Sequence, residues 1–369
     1  MKISLYGPFP PNTGGVSTHV KNLASNLNRD GFLNNVYINN GIKVISDYPS
    51  YCIDIFHSGG KCRCLGRFIP LFRLLAKDCA DIVHIHGSIF TDLISAFYII
   101  FFLKKKVVFT IHDQMQLQRV FAKWILFRFF LMIISGTDKI NFVVVNKIIY
   151  KQLCEIGVTC KQISIVPAYI SHDFENGDFL EEELISFKQK FDIMLSVYAC
   201  HLNLSDTQKD IYGIDIALKA LSIVAKNVSV SVGMIVCVPG VISESVNILY
   251  NNIVAQMGIS DHVLIYNKPL RNPLYFWKKS DLYIRPTLTD GDSIAVREAL
   301  NLGTVVIASD VVSRPDSCLT FKSEDILDLS DKILYSINHL KQLKEDGAKI
   351  NSDYYLDLMD IYNDLLSNE

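Results

Sequence analysis

SDLYIRPTLTDGDSIAVREALNLGTVVIASDVVSRP, residues 280–315, is the stretch from which the rest of the chain can be read. A short apolar run, Leu282 to Ile284, leads into a polar turn containing Gly291, then a helix-period segment, then a second apolar run from Val305 to Ala308. Strand, turn, helix and strand in that order form the repeating unit of a parallel sheet covered by helices. The turn carries Asp290 and the helix carries Glu298, with seven residues between them. The first turn of a helix leaves N–H groups without intrahelical partners and has a partial positive charge, so a phosphate-bearing ligand is favoured there.

The same rhythm runs outward in both directions. KISLYG, NVYIN, DIVHIHG, KVVFTIHD, INFVVVN and QISIVPA are strand-like runs in the first half, and helix-period segments separate most of them. Val16, Val20, Leu23 and Leu27 are spaced four, three and four, a helix stripe that ends near Gly31. A second series follows: FDIMLSVYAC, a helix over 213–225, VSVGMIVCVPG, HVLIYNKP, SDLYIRPT and TVVIASD. Between the two series, residues 171–190 are acidic and have no central strand, as expected of an inter-domain link with a boundary helix. The fold class is α/β, with two Rossmann-like domains: residues 1–175, residues 176–350, and a C-terminal helix in 351–369 expected to pack back on the first domain. The ligand is expected at the strand ends, between the two.

The chain has 369 residues, half of them hydrophobic, and a net charge of −2. This excludes a disordered chain and allows two cores. Charge is divided unevenly. Residues 1–170 hold 19 Lys/Arg against 9 Asp/Glu, and the remainder holds 17 against 29. A basic first half suits an anionic surface or acceptor. The nine cysteines show no ligand spacing and are expected to be reduced thiols. No signal-peptide pattern precedes the first strand, and no apolar run reaches the length of a spanning helix.

The two carboxylates suggest a ligand. One at the mouth of the turn and one about a turn and a half inside the helix can hold the hydroxyls of two sugars. With a diphosphate at the helix end, that ligand is a nucleotide-sugar. Glu298 would accept hydrogen bonds from the ribose and Asp290 from the transferred sugar. The backbone N–H groups of Gly291, Asp292, Ser293 and Ile294 would meet the distal phosphate, with the Ser293 hydroxyl in support. Gly14 and Gly15 suit a loop whose backbone passes close to phosphate. Asp290-Gly291-Asp292 also resembles an acidic metal-binding triplet, but its position late in a second Rossmann-like half argues against that use. Side-chain cations and backbone dipoles can stabilise a leaving diphosphate without a metal. No metal ligand and no cofactor are therefore expected.

Taken together, Gly14-Gly15-Val16 after the first strand, the strand end Thr110-Ile111-His112-Asp113, the segment ISIVPAYI and the pair Asp290 and Glu298 resemble the retaining GT-B glycosyltransferases of family GT4. The resemblance covers nearly the whole chain. RPT before the acidic turn and VREAL after it are similar to enzymes of bacterial surface-polysaccharide assembly. The resemblance implies a hexose-type sugar moved with retention of configuration from a nucleotide-diphosphate sugar to a lipid-linked oligosaccharide, as in O-antigen or capsule synthesis. It places the work in the cytoplasm, peripheral to the inner face of the membrane, without nucleic acid. It implies that His112 lies against the donor sugar and scissile bond. Two departures stand out. The first acid is Asp290 where the family has Glu, and Tyr212 stands before Gly213 where a Lys is usual. Lys209 or Arg285 is expected to supply the missing charge, and Arg297 is a further candidate. An epimerase or phosphorylase of the same fold, or a silent nucleotide-sugar-binding protein, remains an alternative.

Other histidines are given little weight. His84 and His86 are read as pointing to opposite faces of their strand, so that at most one faces a ligand. Two stretches, Lys61 to Lys77 and Val120 to Ile134, set basic residues beside bulky apolar ones, as a helix lying in an anionic membrane interface would.

Overall fold

A computed structural model describes residues 1–10, 14–38, 50–52, 64–87, 90–112, 125–170, 180–200, 202, 210–240, 242–347 and 354–367. The chain forms two compact units: Met1–His172 together with Asp353–Glu369, and Asp173–Ser352.

In the first unit, strands β1 (Ile3–Gly7), β2 (Leu33–Ile38), β3 (Ser50–Cys52), β4 (Ile82–His86), β5 (Lys106–Ile111), β6 (Ile140–Val144) and β7 (Ile163–Ile165) form one sheet in the order β3-β2-β1-β4-β5-β6-β7. All its pairings are parallel. Helices α1 (Gly15–Arg29), α2 (Cys64–Lys77), α3 (Phe90–Phe101), α4 (Ile125–Ser135) and α5 (Lys147–Ile156) lie between strands in the chain. The helix stripe predicted from Val16, Val20, Leu23 and Leu27 is α1, and all but Val16 are fully buried. The chain's last helix, Tyr355–Ser367, belongs to this unit and packs into the same core through Tyr355, Leu358, Tyr362 and Leu365. Tyr362 donates to, or accepts from, His84 Nδ1 at 2.6 Å, and Tyr355 donates to Asp30 at 2.8 Å.

One expectation about cysteines fails. Cys154, near the end of α5, and Cys160 are joined as a disulfide with Cα atoms 5.8 Å apart. Gly157, at φ 104°, ends α5 in the left-handed conformation and folds the chain back, which brings two thiols six residues apart together.

The second unit begins with α6 (Glu182–Lys188), within the predicted boundary segment; residues 171–179 of that segment lie outside the described residues. Strands β8 (Ile193–Tyr198), β9 (Val232–Cys237), β10 (Val263–Tyr266), β11 (Leu282–Arg285), β12 (Val305–Ser309) and β13 (Leu319–Phe321) form a parallel sheet in the order β10-β9-β8-β11-β12-β13. Helices α7 (Ile214–Asn227), α8 (Glu244–Met257) and α11 (Ile326–Asn338) supply one core, while α6, α9 (Pro273–Lys279) and α10 (Ile294–Asn301) supply the other. With both faces covered, the strands are apolar along their whole length. The sequence reading missed β3 and β13, each three residues long and at a sheet edge, too short to show a period. Among the described residues, no helix is long and apolar enough to cross a membrane.

The two sheets share one topological property. Strand order reverses between β1 and β4 in the first, and between β8 and β11 in the second. Connections leave in opposite directions at such a point, so the carboxyl ends of the two strands border a crevice. In the second unit a glycine holds that crevice in register. Gly213 has φ +67°, and a Cβ there would lie 2.0 Å from the carbonyl oxygen of Pro286. Beside it, Leu288 N–H donates to the carbonyl of Ile211 at 2.9 Å. Gly213→Ala is expected to lower unfolding free energy by about 2 kcal/mol or more, read from denaturant midpoints, because both backbone strain and a backbone clash oppose it.

Candidate active site

The reversal point of the second sheet gathers most of the residues singled out from sequence. Arg285 ends β11. Its Nε donates to Asp290 Oδ2 at 3.2 Å, and a further N–H reaches the Tyr198 carbonyl at the end of β8, 3.3 Å away. Its guanidinium also faces the Tyr212 ring, 5.4 Å from the centroid. Tyr212, found where a lysine was expected, therefore packs against a cation instead of supplying one. Arg314, which the sequence reading did not single out, donates to Asp290 Oδ2 at 2.9 Å and to the Ser309 carbonyl at 3.0 Å. Its only sequence signal is its place after β12, 24 residues beyond Asp290; folding makes it a neighbour.

Asp290 is thus a buried carboxylate between two guanidiniums. Burial alone would raise its pKa, but the charges of Arg285 and Arg314 outweigh that and hold it below the ordinary range. Oδ1 also accepts from the Gly291 N–H at 3.1 Å. Arg297 makes the equivalent pairing with Asp292, at 2.8 Å to each oxygen. Ser293 is the N-cap of α10, and its hydroxyl accepts from Val296 N–H at 3.4 Å. Ile294, the first residue of the helix, is buried. Lys209 lies outside the described residues.

Glu298 is in a contrasting environment. It lies on the buried side of α10 beside Val296, Ala299 and Leu300 and is only 9% exposed. Its one described hydrogen bond comes from Trp277 Nε1, at 3.2 Å to Oε2. Burial pushes its pKa up to about 7, and the indole bond offsets this only in part. Five residues along the chain therefore separate the Asp292–Arg297 ion pair from the carboxyl of Glu298, which is near its neutral form. Such a group favours a ligand that brings hydroxyl donors to it.

In the first unit, Gly14 has φ +150°, a conformation suited to glycine, and among the described residues no atom lies within 4 Å of where a Cβ would stand. Gly15 begins α1 and is exposed. His112 directly follows β5. Withdrawal of the half-buried ring from water holds its pKa well below the ordinary histidine value, with His19 and His84 adding to the effect, so the ring is neutral. Asp113 lies outside the described residues.

The expectation for His84 and His86 is wrong. Side chains alternate along a strand, so residues two apart share a face. The two rings lie on the same side of β4, 4.0 Å between centroids. His84 is a core residue whose two ring nitrogens are each 2.6 Å from a hydroxyl, Tyr362 and Thr110. His86 instead meets His112, Nδ1 to Nε2 at 3.3 Å, and His19 lies beside both, at centroid distances of 5.1 and 5.0 Å.

Residues 13–174 match the family model described as Glycosyltransferase Family 4. No curated protein sequence matches the chain. Solved structures similar along nearly its whole length include the following three. A glycosyltransferase from Rickettsia africae is 14% identical, with 100% of this chain and 99% of that one covered and a TM-score of 0.75. Anabaena Alr3699/HepE in complex with UDP is 11% identical, with both chains fully covered and a TM-score of 0.70. WaaG, a glycosyltransferase involved in lipopolysaccharide biosynthesis, is 14% identical, with 96% of each chain covered and a TM-score of 0.66. At these identities the likeness establishes the fold.

The burial of Glu298 has a pH consequence. Its folded pKa of about 7 lies above the ordinary 4.5, so its contribution to stability is present below pH 4.5 and is lost as pH rises through 7. In the donor-free chain, the stability of wild type relative to Glu298→Gln should fall by on the order of 3 kcal/mol between those limits, measured by denaturant unfolding at each pH. Equal profiles for the two proteins would remove the shifted carboxyl from the site. Residues 13–174 thus resemble a Glycosyltransferase Family 4 domain, and the whole chain has the two-domain GT-B fold of solved glycosyltransferases.

Proposed function

We propose that the chain transfers a hexose-type sugar, with retention of configuration, from a nucleotide-diphosphate sugar to a lipid-linked oligosaccharide used in bacterial surface polysaccharide. The second unit holds the donor and the first holds the acceptor. The observation that carries this reading is the pair of unlike carboxyls at the β8–β11 reversal: Asp290 held ionised by Arg285 and Arg314, and Glu298 buried with its pKa pushed up to about 7. Environments that separate two carboxyls in this way give them different tasks.

Glu298 takes the ribose hydroxyls. Asp290 orients the transferred sugar while keeping its arginines in place, and Arg285 and Arg314 bring positive charge to the leaving diphosphate. The N-terminus of α10 adds its dipole. The acceptor hydroxyl oxygen bonds to the anomeric carbon on the face that the phosphate oxygen leaves, and the bond to that oxygen breaks. The acceptor proton passes to the leaving diphosphate. No second carboxylate has to sit across the bond, unlike in a glycosidase. The match of residues 13–174 to the Family 4 model supports the reaction class, and the likeness in fold to WaaG, involved in lipopolysaccharide biosynthesis, supports a place in surface-polysaccharide synthesis.

Exposed side chains of the first unit support peripheral membrane contact as part of this reading. Phe102, Phe129 and Met132 are 69%, 59% and 57% exposed, and Arg73, Lys77, Lys104 and Arg128 are exposed as well. They belong to α2, α4 and the end of α3, and the stack of Phe72, Tyr98 and Phe102 draws α2 and α3 together. Apolar side chains among cations suit an anionic lipid surface. Of the two predicted interfacial stretches, 61–63 and 120–124 lie outside the described residues.

Donor binding should be tested first, with UDP-, GDP- and dTDP-sugars, and nucleotide release should then be followed on adding lipid-linked acceptor. One donor is expected to stabilise the protein, with release dependent on acceptor. Ribose hydroxyls bond best to ionised Glu298, so affinity should rise between pH 5 and pH 8 and binding near pH 6.5 should expel a proton, measured by calorimetry in buffers of different ionisation enthalpy. Glu298→Ala should abolish transfer with the fold intact, and normal activity in that variant would refute the assignment. Phe129→Ser combined with Met132→Ser should weaken binding to anionic vesicles by more than about tenfold, since each apolar side chain gains roughly 1.5–3 kcal/mol on full burial and both are already part-buried.

A further inference from the structure

The strand order of the first sheet reverses between β1 and β4, and three histidines converge there from separate elements. His19 comes from α1, which follows β1; His86 ends β4; and His112 follows β5. One ring nitrogen from each lies within 4.8 Å of the other two.

The hydrogen bonding around these rings is unusual for a core. His19 Nδ1 is 2.7 Å from the Ala168 carbonyl. A carbonyl only accepts, so Nδ1 carries the proton and Nε2 presents a lone pair. Among the described residues that buried Nε2 has no hydrogen-bond partner. A buried nitrogen left unpaired costs free energy that a ligand can return. The backbone carbonyl on the far nitrogen of His19 is the outer-shell arrangement that fixes tautomer and ring orientation in metal-binding histidines. His86 and His112 already stand 3.3 Å apart, Nδ1 to Nε2. That is roughly the tetrahedral edge around an ion with bonds of about 2.0–2.1 Å, the length of a zinc–imidazole bond.

The surroundings favour neutral rings. Burial lowers the His19 pKa to about 4, and His86 and His112 are also held well below the ordinary value. Gly7 makes space for the set, because a Cβ there would lie 3.0 Å from His86 Cβ. The fourth histidine of the group, His84, is excluded because hydroxyls occupy both its nitrogens.

We propose that His19, His86 and His112 bind one divalent transition-metal ion of the zinc type. Three imidazoles leave a fourth position for water or an anionic group of a ligand. This site lies in the first unit and does not depend on the carboxyls of the second.

The test is direct binding. Full-length protein without an affinity tag is stripped with chelator and titrated with Co²⁺ while the visible absorption of tetrahedral cobalt is followed, and zinc content is measured after dialysis. About one ion per chain is expected, displaceable by zinc. His19→Gln and His86→Gln should each weaken binding by more than about 100-fold, above the 10–100-fold that losing an outer-shell partner costs. His339→Gln, at an exposed histidine of the second unit, should bind as wild type does. Circular dichroism checks that each variant is folded. If one is not, the other decides, and X-ray absorption of zinc-loaded wild type counts the imidazoles. Three imidazoles support the site. Fewer than three, no stoichiometric binding, or binding unchanged in both folded variants would overturn it. Because the readout is binding, it is separate from the fate of the transferase reading.

Discussion

A carboxylate buried between two guanidiniums holds the second unit's site together. Asp290 could not remain ionised away from water without Arg285 and Arg314, and breaking such a set by removing one partner leaves an uncompensated buried charge. The geometry follows from this pairing. Arg285 belongs to β11, while Arg314 follows β12 and also bonds to the Ser309 carbonyl at the end of that strand. Two neighbouring strands are therefore tied to the turn that launches α10. Gly213 fits beneath Pro286 on the other side, so the first turn of α7 is set against the same loop. The position of Glu298 depends on these constraints, because α10 is only eight residues long and begins where the turn delivers it.

The site is electrically divided as a result. The outer part, Asp290 and Asp292 with their arginines, is a set of paired full charges. The inner part, Glu298 with Trp277, is a carboxyl in an apolar setting with one indole bond. A ligand carrying both phosphate and hydroxyl groups can satisfy both parts, with phosphate near the guanidiniums and hydroxyls at the glutamate. A purely apolar ligand would leave both unsatisfied.

The first unit uses the same kind of crevice with a different side-chain chemistry. Its reversal point holds neutral imidazoles, with Tyr362 from the last helix and Thr110 from β5 fixing the ring behind them. His84 thus forms a backing for His86, and the C-terminal helix contributes to the site although it is almost 280 residues distant along the chain. Mixed use of one histidine row, one ring for structure and one for ligands, is possible because burial denies both rings a charge.

Alternating apolar strands and helix-period segments were enough to establish two parallel-sheet domains, since a strand covered on both faces has to be apolar throughout. The turn with Asp290 and the helix with Glu298 could likewise be located, because strand, glycine-containing turn and helix are written consecutively. The edge strands β3 and β13 could not, being held by one neighbour and too short for a period. The partners of each charge were beyond reach as well. Arg314 meets Asp290, Trp277 meets Glu298, and His19 meets His86 and His112 only because parallel crossovers bring distant strand ends side by side. Local order along the chain is set by sequence, through periodicity and turn chemistry. Which buried groups face one another, and hence which acid stays ionised and which imidazole nitrogen is left without a partner, is decided only when the sheets form, because it depends on distances between residues that the chain itself does not link.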